Sequence, residues 1–514
     1  MGNWRRRSRL ADITGIALLL ASLLVSCGVF DPGAVDGSSA PAPVSSAITP
    51  SANTGAALAD AVTGEALVAQ LRQLEQITVA ADGTRAAGSQ GYQAAAAHIE
   101  EQLLATGFYE VQHQPFTIQR PHPGESRLID AQGRVINQVP LSFSPGTPTE
   151  GISGRLVEPA RGDGCQSGDW DATLTGQFAL VERGGCSFEQ INQVAASAGA
   201  AMVIVSNNRD AGLYGTLGSL RPEYVPITGV TRSEGERLRR RLADGEVVLG
   251  FTFEQRIESY QTHNLFAQTR GGDGQEVVMA GAHLDSVPDG PGSNDNGSGS
   301  VVLLETALQL ARLGTTPHHK VRFAWWSGEE WGLLGSTHWV NGLVADDPAA
   351  IDRVAAYINV DMIASPNYVI GVYDGDGATF SNEALPTGSA DVKRLYTSYF
   401  DAIGQPWVDV EMGSSSDHAA FLPSGVPVGG LFTGAGDAKS TAEQALFGGQ
   451  RNREYDPNYH GPNDTLENLS TVALEINGKA SAYVIGTLAD DTSLLERGPR
   501  TPTRADSFGY ASTV

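Results

Sequence analysis

Cysteine is scarce in this chain, with three among 514 residues. That excludes a disulfide-dense scaffold and a zinc site built from four cysteines. Aromatic residues are few, at 7%, and charged residues reach only 18%, below the usual quarter. Cations are the scarcer sign: 34 Lys plus Arg against 58 Asp plus Glu leave a net charge of −24. Such a charge disfavours a nucleic-acid partner, because phosphate binding needs clustered cations. It also disfavours a polybasic contact with anionic lipid. What is plentiful is glycine, 61 residues, beside an apolar fraction of 41%. This suits a loop-rich globular protein, and the length fits two or three domains.

The N-terminus reads as an address. Arg5, Arg6, Arg7 and Arg9 precede an apolar stretch from Ile13 to Ser26. That stretch is too short to span a bilayer as a permanent helix. Leu24-Val25-Ser26-Cys27 resembles the bacterial lipobox. The resemblance implies a signal peptide over 1–26 and acylation of Cys27. The product is then an exported lipoprotein, anchored to the cell membrane or envelope and facing away from the cytoplasm. An ordinary cleaved signal or a short anchor helix is the alternative. With Cys27 set aside, Cys165 and Cys186 remain in an oxidising compartment. A bridge between them would close a loop of about 20 residues, worth roughly 3 kcal/mol in the chain-entropy model. Two free thiols are the alternative. The run from Cys27 to residue 63 is rich in Ala, Gly, Ser, Pro and Thr, which predicts a flexible linker. Residues 496–514 are predicted as a disordered tail.

Between these ends the pattern is mixed α/β. Helices are expected over Gly64–Thr78, Ser89–Gly107, Gly297–Leu313, Trp331–Val344 and Thr471–Leu488, with Ser89 as a cap and Gly107 as a stop. Strands are expected over Glu276–Ala282, Val321–Trp326, Ala355–Ile363 and Val426–Phe432. This alternation predicts a largely parallel central sheet flanked by helices. Residues 146–255 depart from it, being rich in Gly, Val and turn residues. Their run GQFALVERGGCSFEQINQVAASAGAAMVIVSN resembles the protease-associated (PA) domain, a small β-rich insert. The implied organisation is a catalytic domain over 64–145 plus 256–495, interrupted by that insert. The insert acts either as a lid or selection module, or only as packing.

The chemistry-bearing residues gather at predicted strand ends. His283 and Asp285 follow one strand, Glu329 and Glu330 the next, and Asp361 a third. Asp295 lies in the glycine-rich run GPGSNDNGSGS, and Tyr459-His460 near the C-terminus. A lone carboxylate at a strand end is usually a cap or a solvated side chain. Here all these loops can meet at the carboxyl edge of one sheet, where such folds bind ligands. Two imidazoles and three carboxylates suit zinc. Five ligands invite two ions sharing a bridge. Asp285 is expected to accept the second N–H of His283. Glu329, left over beside the ligand Glu330, is the natural general base. His263, His318, His319 and His338 read as structural.

Taken together, HLDSVPDGPGSNDNGSGS, RFAWWSGEEWGLLGS, YINVDMIASPN, SDHAAF, GVPVGGLFTGAGD and DPNYHGPNDTL resemble the M28 zinc aminopeptidases over roughly residues 64 to 490. The resemblance implies two Zn²⁺ per chain, one held by His283 and Asp361, the other by Glu330 and His460, with Asp295 bridging. It implies that Glu329 takes the proton of a water bridging the metals, and that Tyr459 steadies the oxyanion. Met362 and Phe432 match pocket residues, implying preference for a bulky apolar N-terminal side chain; otherwise both are core. A cis peptide is implied at Asp295-Asn296. There are two departures. Ser415 stands where the Streptomyces type has a substrate-holding Arg, and Asn458 where it has a Cys. The expected function is removal of the N-terminal residue from peptides with a free amine, by a monomer held to a membrane through its lipid. The alternatives are a carboxypeptidase of the same fold, for which no basic cluster is visible, a single-zinc glutaminyl cyclase, against which the full ligand set argues, and a non-catalytic receptor-like binding protein.

Overall fold

The computed structural model describes residues 53–160, 163–213, 215–218, 220–380, 385–501 and 503–505. The signal region and Cys27 lie outside the described residues. Folded structure begins ahead of the predicted linker boundary. The Asn53 side chain accepts the backbone N–H of Gly55 at 2.9 Å and caps the helix Thr54–Ala61. Leu58 is fully buried there. Thr54 donates to Asp490 through its backbone N–H (2.8 Å) and hydroxyl (2.7 Å). The close approach needs glycine: a Cβ on Gly55 would sit 2.4 Å from the Tyr483 carbonyl. Small residues that read as linker by composition are here a packing surface for the closing helix, Thr471–Asp490.

The helices Gly64–Ala80 and Gln90–Ala105 follow. The second is capped by Ser89, whose hydroxyl accepts from Tyr92 N at 3.1 Å, and it buries Tyr92, Ala96, Ile99 and Leu103 as its spacing predicts. Next comes a feature that sequence reading missed. Tyr109–Asp130 and Val248–Thr269 are strands of 22 residues each, paired antiparallel from Tyr109↔Thr269 to Asp130↔Leu249. Pro115, Pro121 and Pro123 interrupt the first and conceal it. The strand's other edge carries no partner over these positions, and a proline is tolerated in a strand where its nitrogen faces such an edge.

The central sheet runs Val408–Val410, Gly371–Tyr373, Val428–Phe432, Val354–Val360, Asp273–His283, His319–Trp326 and then Val248–Thr269. Asp273–His283 lies between Val354–Val360 and His319–Trp326 and is parallel to both. Their carboxyl ends therefore share one edge. Val248–Thr269 pairs antiparallel with His319–Trp326, and Gly371–Tyr373 pairs antiparallel with Val428–Phe432. One face packs on the helices Gln90–Ala105, Gly299–Leu313 and Thr471–Asp490, through Ile99, Leu303, Phe323, Ile358 and Ile485. The other carries Trp326, Trp339, Tyr357 and Phe421.

Two predicted helices start late. Gly299–Leu313 is preceded by non-helical Asp295 and Asn296, joined by a cis peptide. Leu334–Asp346 follows Gly332 and Leu333, both left-handed (φ 104° and 59°), so the residues after Glu330 form a turn.

The insert contributes Ile152–Val157, Phe178–Glu182, Met202–Ser206 and Ile227–Val230, continuous with the central sheet through Val248–Thr269. Cys165 and Cys186 are joined by a disulfide. Residues ahead of the expected boundary at 146 also take part in the insert's packing. Leu128, Ile136, Leu141 and Phe143 pack in the insert's cores. They do so because the long strands carry the chain across both parts. The predicted tail is also ordered where described. The Arg500 guanidinium donates to the carbonyls of Val354 (2.6 Å) and Asp352 (3.0 Å), and Ala505 is buried and exchanges hydrogen bonds with Asn341. Its arginine meets acceptors that composition does not reveal. No described helix is long and apolar enough to cross a membrane.

Leu58→Ala is expected to lower stability by about 2–5 kcal/mol, as for other fully buried leucines. Urea unfolding followed by circular dichroism measures this, and an effect near zero would return residues 53–63 to the linker.

Candidate active site

His283 ends one central strand, Asp361 follows its neighbour, and Glu329 and Glu330 lie just past the other. Asp295 reaches the same point from the segment ahead of Gly299–Leu313, and His460 from the loop before the closing helix. His283 Nε2 stands 3.1 Å from Asp295 Oδ1 and 3.3 Å from Asp361 Oδ1. His460 Nε2 stands 3.2 Å from Asp295 Oδ2 and 3.0 Å from Glu330 Oε2. Asp295 thus offers one oxygen to each imidazole. Two overlapping donor sets, His283-Glu329-Asp361 and His283-Asp295-Glu330, each have their ligand atoms within 4.8 Å of one another. Ligand atoms around one tetrahedral zinc are ~3.3 Å apart, given bonds of about 2.0–2.1 Å. The spacings match that edge.

The donor atoms are also unspent. His283 Nε2, Asp361 Oδ1 and Glu330 Oε1 are buried without a hydrogen-bond partner among the described residues. Buried polar atoms normally find partners, so these are arranged for something else. The opposite atoms are already occupied. Asp361 Oδ2 accepts from Ser416 Oγ (2.7 Å), which accepts from Asn359 Nδ2 (2.8 Å). His283 Nδ1 lies 2.9 Å from the Asp285 carbonyl oxygen. That bond places the proton of the neutral ring on Nδ1 and leaves the Nε2 lone pair facing Asp295 and Asp361.

Here the expectation for Asp285 needs correction. Its backbone carbonyl, not its carboxylate, takes the imidazole N–H; the carboxylate is 3.8 Å away. The carboxylate instead accepts the backbone N–H groups of Glu329 (3.2 Å) and Glu330 (3.4 Å). Those amides lie in a tight turn with no ladder of their own, and they are the nearer claim on a buried acceptor. Asp285 therefore aims the Glu-Glu turn as well as the imidazole.

The electrostatics show a surplus of buried negative charge. Burial pushes Asp285 up to about 6 and Glu330 up to about 7. It holds Glu329 well above the carboxylate range, with Asp361, Asp417 and Glu330 adding to the shift. Burial would depress the imidazoles, but the carboxylates outweigh it. Asp361, Glu329 and Asp295 hold His283 well above its usual value, and Asp295 and Glu330 raise His460 to about 11. Asp295 alone is lowered: burial opposes ionisation, and the two histidines overcome it. A group of this kind calls for added positive charge.

The Tyr459 ring stacks on His460 at 3.8 Å between centroids, and it is partly exposed at the rim. Met362 is buried with a left-handed backbone (φ 45°). Phe432 is half-buried against the core that contains Trp326 and Tyr357. Sequence reading missed Asp464 and Asp417. Asp464 Oδ1 and Oδ2 accept the backbone N–H groups of Asn294 (2.7 Å) and Asp295 (2.9 Å), and burial raises its pKa to about 8. Asp417 is buried near His283 and Asp361, and burial raises it to about 7. Both lie inside stretches quoted above, GPNDTL and SDHAAF, but neither sits at a strand end, the signal that selected the others.

The chain is similar to known proteins along most of its length. The peptidase family M28 model matches residues 264–485, and the PA domain model matches 152–238. The probable lipoprotein aminopeptidase LpqL of Mycobacterium tuberculosis is 40% identical over 446 residues, covering 85% of this chain and 87% of that one. The chain belongs to peptidase family M28. Leucine aminopeptidase 2 of Trichophyton rubrum is 38% identical, over 82% of this chain and 83% of its own length. Among solved structures, the aminopeptidase from Aneurinibacillus sp. strain AM-1 superposes with a TM-score of 0.64 at 26% identity, covering 84% of this chain and 95% of that one. This M28 chain is thus an enzyme, a peptide-bond hydrolase of the aminopeptidase kind.

The charge surplus has a measurable sign. For Glu330, Asp417 and Asp464 the folded pKa lies above the unfolded carboxylate value near ~4. The folded state therefore holds protons that the unfolded state releases. The associated stability is present below ~4 and is lost as pH rises through about 7 to 8. The raised imidazoles act in the same direction at higher pH, whereas the lowered Asp295 acts oppositely and only below ~4. Protein stripped with excess chelator should lose thermal stability between pH 5 and 8 in scanning calorimetry. A flat or rising midpoint would contradict the charge surplus.

Proposed function

We propose that this chain is a dinuclear zinc aminopeptidase, and that it removes the N-terminal residue from peptides with a free amine. The observation that carries the reading is Asp295, whose two oxygens lie 3.1 and 3.2 Å from two different histidines. In this assignment His283 and Asp361 would hold one ion and Glu330 and His460 the other, with Asp295 offering an oxygen to each side. The unspent donor atoms and the surplus of negative charge support a divalent pair. Bound zinc would supply a Lewis acid that polarises the scissile carbonyl and makes water nucleophilic at neutral pH.

The protein's own residues do the rest. Glu329 Oε2 stands 3.9 Å from His283 Nε2, farther back than the other carboxylates that face this ring, and its backbone is held by Asp285. It accepts the proton of the attacking water and passes it to the leaving amine. Tyr459, stacked on His460 at the rim, donates its hydroxyl to the oxyanion. The surrounding carboxylates attract the protonated α-amine of the substrate. Met362 and Phe432 border the place for its side chain, which favours bulky apolar residues. Anchoring through Cys27 and export as a lipoprotein are part of this reading, supported by the lipobox and by the name of the M. tuberculosis relative.

Glu329→Gln should lower kcat on leucyl-anilide by about 100- to 10,000-fold, the range for a lost general base, while zinc content stays unchanged. Unchanged turnover would reject Glu329 as the base. Chelation should abolish activity and zinc should restore it, with about two ions per chain. N-acetylated leucyl-anilide should not be cleaved; equal cleavage of both substrates would reject an exopeptidase.

A further inference from the structure

Arg85 lies in the turn between the helices Gly64–Ala80 and Gln90–Ala105, and its side chain is fully buried. A guanidinium without solvent is costly unless its donors are used. Here Nε donates to the Leu284 carbonyl at 2.9 Å, Nη2 to the Gly292 carbonyl at 2.8 Å, and Nη1 to the Pro291 carbonyl. A weaker bond from Nη1 reaches Thr78 Oγ1 at 3.4 Å. The backbone adds a clasp. Arg85 N donates to Ser286 Oγ (3.0 Å), and Thr84 Oγ1 donates to the Val287 carbonyl (2.9 Å).

All three carbonyls belong to the loop Leu284–Gly292. That loop begins one residue past His283 and ends three before Asp295. It contains Pro288, Gly290, Pro291 and Gly292 and no regular ladder; Ser286 Oγ donates within it to the Gly290 carbonyl (3.0 Å), while the carbonyls of Leu284, Pro291 and Gly292 accept from Arg85 outside it. A planar fork can serve several carbonyls at once, which a lysine ammonium on a flexible stem does not reproduce. Arg85 is also a buried cation in the field of Asp464, Asp285, Asp295 and Glu330.

We propose that Arg85 is a positioning residue that presets the separation of His283 from Asp295 before metal binds. This role rests on the ligand set proposed above.

The test uses the full-length chain, stripped and titrated with zinc against a chromophoric chelator. Arg85→Lys keeps the charge and loses the fork. It should bind zinc about 10- to 100-fold more weakly, as outer-shell variants do, and show an altered d–d spectrum when loaded with cobalt. Wild-type zinc affinity together with an unchanged cobalt spectrum would overturn the role. A wild-type chain that takes up no zinc would overturn the ligand set and the role with it. Hydrogen exchange in the metal-free wild type decides independently, even if the variant fails to fold. Slow exchange of the amides of residues 284–297 is expected. Exchange at the unfolded-chain rate, slowed only by zinc, would show that the metal rather than Arg85 shapes the loop.

Discussion

The site depends on one buried carboxylate being reached from two sides. Asp295 lies between His283 and His460, and the backbone around it is held tightly. Asp464 takes its N–H and that of Asn294, while Asn294 Nδ2 donates to Asp456 and Ser365. Asn296 Nδ2 donates to the Val360 carbonyl at 2.9 Å, tying the same segment to the strand that delivers Asp361. Moving Asp295 would therefore move donors on both sides. The anchoring groups are themselves acids in a dry environment, a state that folding alone does not favour. A fold keeps such a cluster where its function requires the charge.

The frame makes this affordable by ordinary means. Three adjacent parallel strands end together, and each leads at its carboxyl end into residues of the candidate site. Large apolar faces above and below, with Trp325, Trp326, Tyr357 and Phe323 fully buried, hold those strands in place. Burial of such side chains contributes roughly 1.5–3 kcal/mol each, enough to carry a locally unfavourable centre.

Much of this was legible in the sequence, and the reason is periodicity. The central strands are short apolar runs followed at once by His, Glu or Asp, so strand and ligand announce each other. The helix from Ser89 was readable from its cap and spacing. Other features leave no local trace. The 22-residue strands are broken by prolines and polar residues, and their partners lie more than 100 residues away in sequence. The Thr54–Ala61 helix looked like linker because small residues serve both purposes. Asp285 was assigned the right neighbour but the wrong atom, since sequence does not distinguish a carboxylate from its own carbonyl. Asp464 acts through backbone amides, which carry no sequence identity at all.

The two long strands run from the insert's core to the edge of the catalytic sheet, with one register shift between Pro123 and Ser126. The insert is thus not a bead on a string but part of the same woven fabric. Strand alternation has a period of two, and the pairing shifts by one residue between Pro123 and Ser126, so the phase of each part is fixed relative to the other by that one shift. Adding or deleting one residue midway along either strand would turn the side chains beyond it to the opposite face, and the error would be inherited by a core tens of residues away. Evolution can lengthen the loops of such a protein freely, but the insert can be exchanged only by a module that arrives in step.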